Sequence, residues 1–271
     1  MLYTKRAFLL LQPAVMLHTV LSIALFTVLE GMRTRLLWLV LCVLVAGLSL
    51  SEFLGEIALT ESVEIKSGVL GALLRITAVF ITAFFVTTSM LREQTDKGAD
   101  LVLSLPIPRA VYFTGKLCGF FTVAVALAVM VGSALFIYVP AAQVLLWTIS
   151  LCCELLLISA FSLLCLFTFN QAVLALSAVA AFYFLARTIS AIQLMGHGSL
   201  LDSNSTAQNV IVWLIDALAF VLPSLDRFTL SEWLMYHTGD VADLAHIGIQ
   251  SAIYLLLLTG AGLFDLYRKN Y

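Results

Sequence analysis

The chain has 271 residues, of which 62% are hydrophobic and 11% are charged, with a net charge of −2. Its mean hydropathy of +1.07 excludes a water-soluble globular protein, because a single core of this size cannot hide so much apolar surface. Several continuous runs of about 20 apolar residues are long enough to cross about 30 Å of hydrocarbon, so the composition predicts an all-α integral membrane protein.

The first apolar run, residues 14–32, is predicted to be an elbow helix that lies in the membrane interface. Its apolar residues repeat at helical spacing on one face. Basic pairs flank it on both sides, Lys5 with Arg6 and Arg33 with Arg35. The alternative is a seventh span, but a crossing here would place one basic pair outside, against the positive-inside rule.

Six later runs are predicted to be transmembrane helices, which places both termini on the same side. They cover residues 36–54, 69–90, 117–139, 143–168, 172–194 and 245–266. If the termini are cytoplasmic, the inside of the membrane carries most of the basic residues, as the positive-inside rule requires. These inside residues are Lys5, Arg6, Arg33, Arg35, Arg92, Lys97, Arg109, Lys116, Arg268 and Lys269, whereas Lys66, Arg75, Arg187 and Arg227 lie in or towards the outer half.

The longest predicted cytoplasmic connection, residues 91–116, includes the sequence REQTDKGADLVLSLPIPRAVYFTGK at 92–116. Its leucines predict a short amphipathic helix, which Pro106 and Pro108 would end and stiffen. Lys116 is expected to reach the head groups where the next span begins. A charged, amphipathic element between two spans is a surface on which a peripheral partner could push, although an ordinary solvated loop is the alternative.

This loop resembles the signature of ABC-2-type permeases, in which an acidic residue precedes Gly-Thr, a leucine run, Pro-Ile-Ser-Arg and Gly-Lys. Ala99 stands where threonine is usual and Pro108 where serine is usual. The predicted architecture is also similar: an elbow helix, six spans, a long outer segment and a short basic tail. The matching residues are Glu93, Gly98, Leu101, Leu103, Leu105, Pro106, Ile107, Arg109, Gly115 and Lys116.

The resemblance implies that residues 1–271 form one transmembrane permease domain of an exporter in a bacterial-type plasma membrane. The domain would pair into a homo- or heterodimer and dock two P-loop ATPase subunits through the loop. ATP and Mg²⁺ would bind to those partners, because a P-loop needs G-x-x-x-x-G-K followed by Ser or Thr. The only Gly-Lys here has Ala110 and Leu117 at the required Gly and Ser/Thr positions. No enzymatic activity, metal site or nucleic-acid partner is expected for this chain.

The outer segment, residues 196–244, opens with polar residues and then contains an apolar run that ends before Pro223. That run is too short to cross a bilayer comfortably, which predicts an interfacial or re-entrant helix.

Two intramembrane charges are predicted to pair. Glu154 lies 16 residues before the turn at Asn170, and Arg187 lies 17 after it, so both sit about 25 Å from that turn. We expect a buried ion pair that either fixes helix packing or lies in the substrate path. Arg75 is similarly expected to pair with Glu52 or Glu56 across the first hairpin. An alternative function is a secondary transporter or channel that uses Glu154 and Arg187.

Overall fold

The computed structural model describes residues 2–57, 62–95, 108–169, 171–197 and 206–268, with side chains from Met16 onwards except at 37 and 206–209. The described residues are almost entirely helical and include no strand. The helices are α1 (Leu2–Arg33), α2 (Leu36–Ile57), α3 (Ser62–Thr95), α4 (Arg109–Leu135), α5 (Ala141–Phe169), α6 (Ala172–Gly196), α7 (Thr206–Val221), α8 (Ser231–Met235) and α9 (Val241–Arg268), with a 3₁₀ turn at Leu225–Arg227.

Seven of these helices, α1 to α6 and α9, are long and apolar enough to cross a membrane. The predicted class, a multi-pass all-α membrane protein, is therefore confirmed. Large apolar side chains such as Trp38, Leu256 and Phe264 are more than two-thirds exposed, at 73%, 74% and 70%. Such exposure is unfavourable in water and is expected where lipid covers the outside of a bundle.

Two predicted spans differ most from the observed helices. Helix α3 extends the predicted 69–90 to Ser62–Thr95, so Glu93 lies on its last turns. Helix α4 starts at Arg109 rather than 117 and ends at Leu135 rather than 139. It ends early because a turn leads into Pro140, whose ring cannot continue the helix before it. Of the predicted loop 91–116, residues 96–107 lie outside the described residues and all the others except Pro108 are helical.

Helix α5 occupies the centre of the bundle and packs against α3, α4, α6 and α9. Its buried side chains include Trp147, Leu151, Leu155 and Leu163, all at 0% exposure. A helix that is apolar on every side suits this position, because both lipid and neighbouring helices accept apolar surface.

The two ends of the bundle are defined by their charged residues. At the first, the Glu93 end, Glu93 of α3 meets Lys116 of α4. At the second, the Glu52 end, Glu52 of α2 meets Lys66 of α3. Helices α2 and α4 therefore both run from the Glu93 end to the Glu52 end, antiparallel to α3.

Helix α1 runs parallel to α4 and packs closely against its first turns. Gly115 faces Ile23, Gly119 faces Thr27, and Gly31 faces Val123, so both helices advance together. A methyl group on Gly119 would come within 2.6 Å of the Thr27 Cβ, which shows how closely the backbones approach. Small residues four apart commonly allow such contact between membrane helices. Helix α2 begins three residues after α1 ends and continues in the same direction.

Candidate functional site

A cluster of polar side chains joins α3, α5 and α6 in the middle of the bundle. Glu154 of α5 is fully buried, and Nη1 of Arg187 on α6 lies 3.3 Å from its Oε1. The structure thus brings together the two charges that were expected to meet. The short connection between α5 and α6 explains this, since nearly equal numbers of residues on either side of position 170 place both side chains at nearly the same depth.

A segment from the outer region, residues 223–235, completes this cluster. Thr229 donates a hydrogen bond from Oγ1 to Oε2 of Glu154 at 2.8 Å. Its backbone N–H donates to Oγ of Ser150 at 2.9 Å, and its carbonyl accepts from Nη1 of Arg75 at 3.0 Å. Arg187 also donates to the Leu225 carbonyl at 2.8 Å. We call Glu154, Arg187, Thr229, Arg75 and Ser150 the Glu154 cluster.

The 223–235 segment enters the bundle from the Glu52 end and reaches the depth of Arg187. Leu225, Phe228, Thr229, Trp233 and Leu234 are all at most 2% exposed. Thr229 has a positive φ of 45°, which is costly for a β-branched residue and persists only where surrounding contacts hold it. Those contacts are the hydrogen bonds that join Thr229 to Glu154, Ser150, Arg75 and Arg187.

Helix α7, which precedes this segment, is the short apolar helix expected within 196–244. It has 16 residues and packs along α6, where Asp216 accepts hydrogen bonds from Gln193 and His197, both at 3.1 Å. The hydrogen bond from His197 is the largest cause that lowers the pKa of Asp216. These contacts position α7 against α6 before the chain turns into the bundle at Pro223.

Both oxygens of the Glu154 carboxylate accept hydrogen bonds, and the group has no exposed surface. A carboxylate that is fully paired and closed off from solvent is suited to fixing the position of a segment. Sequence reasoning missed Thr229 and Ser150, because each is one of many hydroxyl residues and nothing in the sequence places residue 229 beside residue 154.

The expected partner of Arg75 was wrong. Arg75 bonds the Thr229 carbonyl, whereas Glu52 forms an ion pair with Lys66 at 2.6 Å and accepts a hydrogen bond from the Tyr138 hydroxyl. Arg75 lies nine residues beyond Lys66 on α3, about 13 Å deeper in the bundle, so it does not reach the end of the hairpin.

Burial and the hydrogen bond to Glu52 raise the pKa of Tyr138 to about 12. An unfolded tyrosine loses its proton near pH 10, so between about pH 10 and 12 the folded chain holds the extra proton. Stability should therefore fall as pH rises through this range. We expect Tyr138→Phe to make that fall shallower, as measured by detergent unfolding at pH 9, 10 and 11, while Tyr236→Phe, an exposed control, leaves it unchanged.

At the opposite end, the helices that flank residues 96–107 are joined directly. Lys116 Nζ lies 2.5 Å from Glu93 Oε2, and the Tyr112 hydroxyl donates to Glu93 Oε1 at 3.1 Å. Lys116 is only 7% exposed, so its ammonium group lies against Glu93 within the bundle, and its place at the level of the head groups stays a prediction. The carboxylate of Glu93 accounts for this burial, because a buried ammonium needs such a partner.

Arg109 connects a third helix, α9, to the joined ends of α3 and α4. We call Glu93, Arg109 and Lys116 the base of the loop. Its Nη1 donates a hydrogen bond of 3.1 Å to the Leu266 carbonyl, in the last turn of α9. The final carbonyls of a helix lack partners within the helix and carry partial negative charge, so a guanidinium is a favourable partner. Arg109 therefore connects the start of α4 to the end of α9.

The remaining predicted coupling residues fall outside the described residues. These are Gly98, Leu101, Leu103, Leu105 and Pro106. Within the described part of the chain, no group of three or more His, Cys, Asp or Glu side chains is arranged to hold a metal ion.

Comparison with known proteins does not assign the chain to a family. No protein-family model matches it, and no curated protein matches its sequence. A function must therefore be argued from the residues and contacts described above.

Proposed function

We propose that this chain is the membrane-spanning permease subunit of an ATP-driven ABC-2-type exporter. The observation that carries the proposal is the joined base of the loop. Glu93, Arg109 and Lys116, which match the permease signature, connect α3, α4 and α9 through an ion pair and a hydrogen bond. A force applied to residues 96–107 would act on three helices together rather than on one flexible connection.

A base that connects three helices is suited to a transporter in which a peripheral subunit moves the membrane helices. A coupling element must transmit displacement, and an ion pair within a largely buried site resists separation more strongly than one in open water. Helix α1 adds to the base, because it packs on α4 beside Gly115 and Gly119. The proposed partner, a P-loop ATPase, would bind ATP and Mg²⁺ and supply the energy, and a second permease subunit would complete the pathway.

We further propose six crossings, in which α1 packs along the first turns of α4 and does not complete a crossing itself. Helices α1 and α2 advance in the same direction and only Thr34 and Arg35 separate them. Two successive full crossings in the same direction need a connection that returns across about 30 Å of hydrocarbon, and two residues span at most about 7 Å. The basic residues at the Glu93 end support placing that end, and both termini, in the cytoplasm of a bacterial-type cell.

The Glu154 cluster supports this proposal over a secondary transporter. A proton or ion site must exchange with water, whereas Glu154 has no exposed surface and both its oxygens are occupied by Arg187 and Thr229. We assign the cluster the role of holding the 223–235 segment in the bundle.

Affinity purification from native membranes in a mild detergent tests the proposal. A P-loop ATPase should be recovered with the wild-type chain, and Leu103→Ala should reduce its recovery severalfold. The control is Val173→Ala, which truncates a 78% exposed aliphatic residue in the first turn of α6, at the same end of the bundle. Equal recovery with both variants would contradict coupling through the loop.

A further inference from the structure

A cleft with one apolar and one basic part opens where α1 meets α2. Its apolar part is a groove of about 730 Å³ between α2, α3 and α6, lined by residues such as Leu39, Phe80, Phe84 and Val179. Its basic part is a cavity of about 780 Å³ at the Glu93 end. The two parts share Thr34 and Arg35 in their walls, so they adjoin each other at these two residues.

The basic part carries an excess of positive charge. Four basic side chains and two carboxylates line it, and both carboxylates already have partners: Glu93 pairs with Lys116, and Glu30 accepts a hydrogen bond from Ser89 at 2.7 Å. Within the described residues, the other three cations form no ion pair. These are Arg33, Arg35 and Arg92.

The apolar part has the depth of one membrane leaflet. Along α3 it extends over twelve residues from Thr77 to Thr88, which are about 16 Å apart along the helix axis. One leaflet contributes about 15 Å of hydrocarbon, half of the usual core. The groove is also open towards the surrounding lipid, because Phe80, Phe84 and Ser177 on its rim are exposed.

We propose that this cleft binds a phospholipid with an anionic head group. An acyl chain would lie in the groove between α3 and α6, and the phosphate would lie at Arg35, with Arg33 and Arg92 nearby. Guanidinium groups form the strongest contacts with phosphate, in which two N–H donors bind two oxygens. A free phosphate ion would leave the groove empty, whereas a lipid satisfies both parts of the cleft. This proposal does not depend on the exporter function.

Native mass spectrometry of the full chain tests the proposal, after release from nanodiscs that contain equal amounts of phosphatidylglycerol and phosphatidylcholine. The wild-type chain should retain phosphatidylglycerol in preference. Arg35→Gln should lower that retention about tenfold, the effect of losing one charge-assisted contact. Arg35→Lys should preserve much of it. Arg268→Gln, which removes an exposed cation at the same end but outside the cleft, should have no effect.

A second pair of variants tests the groove. Ser177→Trp fills the groove from its exposed rim and should also lower retention, whereas Ser133→Trp, on an exposed face of α4 away from the cleft, should not. Equal retention of the two lipids by the wild-type chain would overturn the proposal, as would wild-type retention in Arg35→Gln or Ser177→Trp. Loss of a dimer in Ser177→Trp, with lipid retention unchanged, would instead assign the groove to a second copy of this chain.

Discussion

Replacing Arg187 with methionine is expected to destabilise the chain by about 3 kcal/mol, the range seen when one partner of a buried ion pair is removed. The substitution leaves the Glu154 carboxyl group without its cationic partner at a site with no exposed surface. It also removes the donor to the Leu225 carbonyl. The 223–235 segment should therefore loosen, and the measurement is the free energy of unfolding from SDS titration in mixed micelles.

The double variant Glu154→Gln with Arg187→Met distinguishes an ion pair from a general packing defect. Removing both charges should recover all but about 1–2 kcal/mol, because the Leu225 carbonyl and the Thr229 hydroxyl oxygen still lack the donor that Arg187 supplied. Arg227→Met provides a control, since Arg227 is exposed on the same segment. If the double variant is as unstable as Arg187→Met, the charge interaction between α5 and α6 does not hold the segment.

Replacing Gly119 with leucine is the second change for which we expect a large effect. The new Cβ would lie 2.6 Å from the Thr27 Cβ and 3.0 Å from the Ala24 carbonyl oxygen. A backbone oxygen cannot rotate away, so α1 would have to separate from α4. Overpacking of this kind costs about 1–3 kcal/mol, again measurable by SDS titration.

Gly260→Leu is the matched control for this substitution, because no atom lies within 4 Å of a Cβ built at Gly260 on α9. Leucine also favours a helix more than glycine does, by about 1 kcal/mol, so this variant should be as stable as the wild type or more so. Similar destabilisation in both variants would mean that α1 does not pack on Gly119.

The pairing of Glu154 and Arg187 was predictable, because a short turn between antiparallel helices fixes depth by counting residues. The same counting explains why the predicted pairing of Arg75 with Glu52 or Glu56 failed. Lys66 lies near the connection between α2 and α3, whereas Arg75 lies about 13 Å deeper. In both hairpins, the depth of the side chains along the helices determined which residues pair, and opposite charge alone did not.

The contribution of Thr229 could not be predicted, because it depends on how a segment 75 residues from Glu154 folds back into the bundle. The extension of α3 to Thr95 also escaped prediction. Hydropathy marks only the apolar part of a helix, whereas backbone hydrogen bonding continues through polar residues such as Arg92 and Glu93. The burial of Lys116 follows from that extension, since it brings Glu93 within reach.

The central claim is that residues 96–107 contact a separate ATPase at the base formed by Glu93, Arg109 and Lys116. The most direct test places a photoreactive amino acid at position 103 and irradiates native membranes. We predict a cross-linked product that contains a polypeptide with a P-loop, and its loss when the label is moved to position 173. Cross-links to lipid alone, with transport retained by the purified single chain, would contradict the claim.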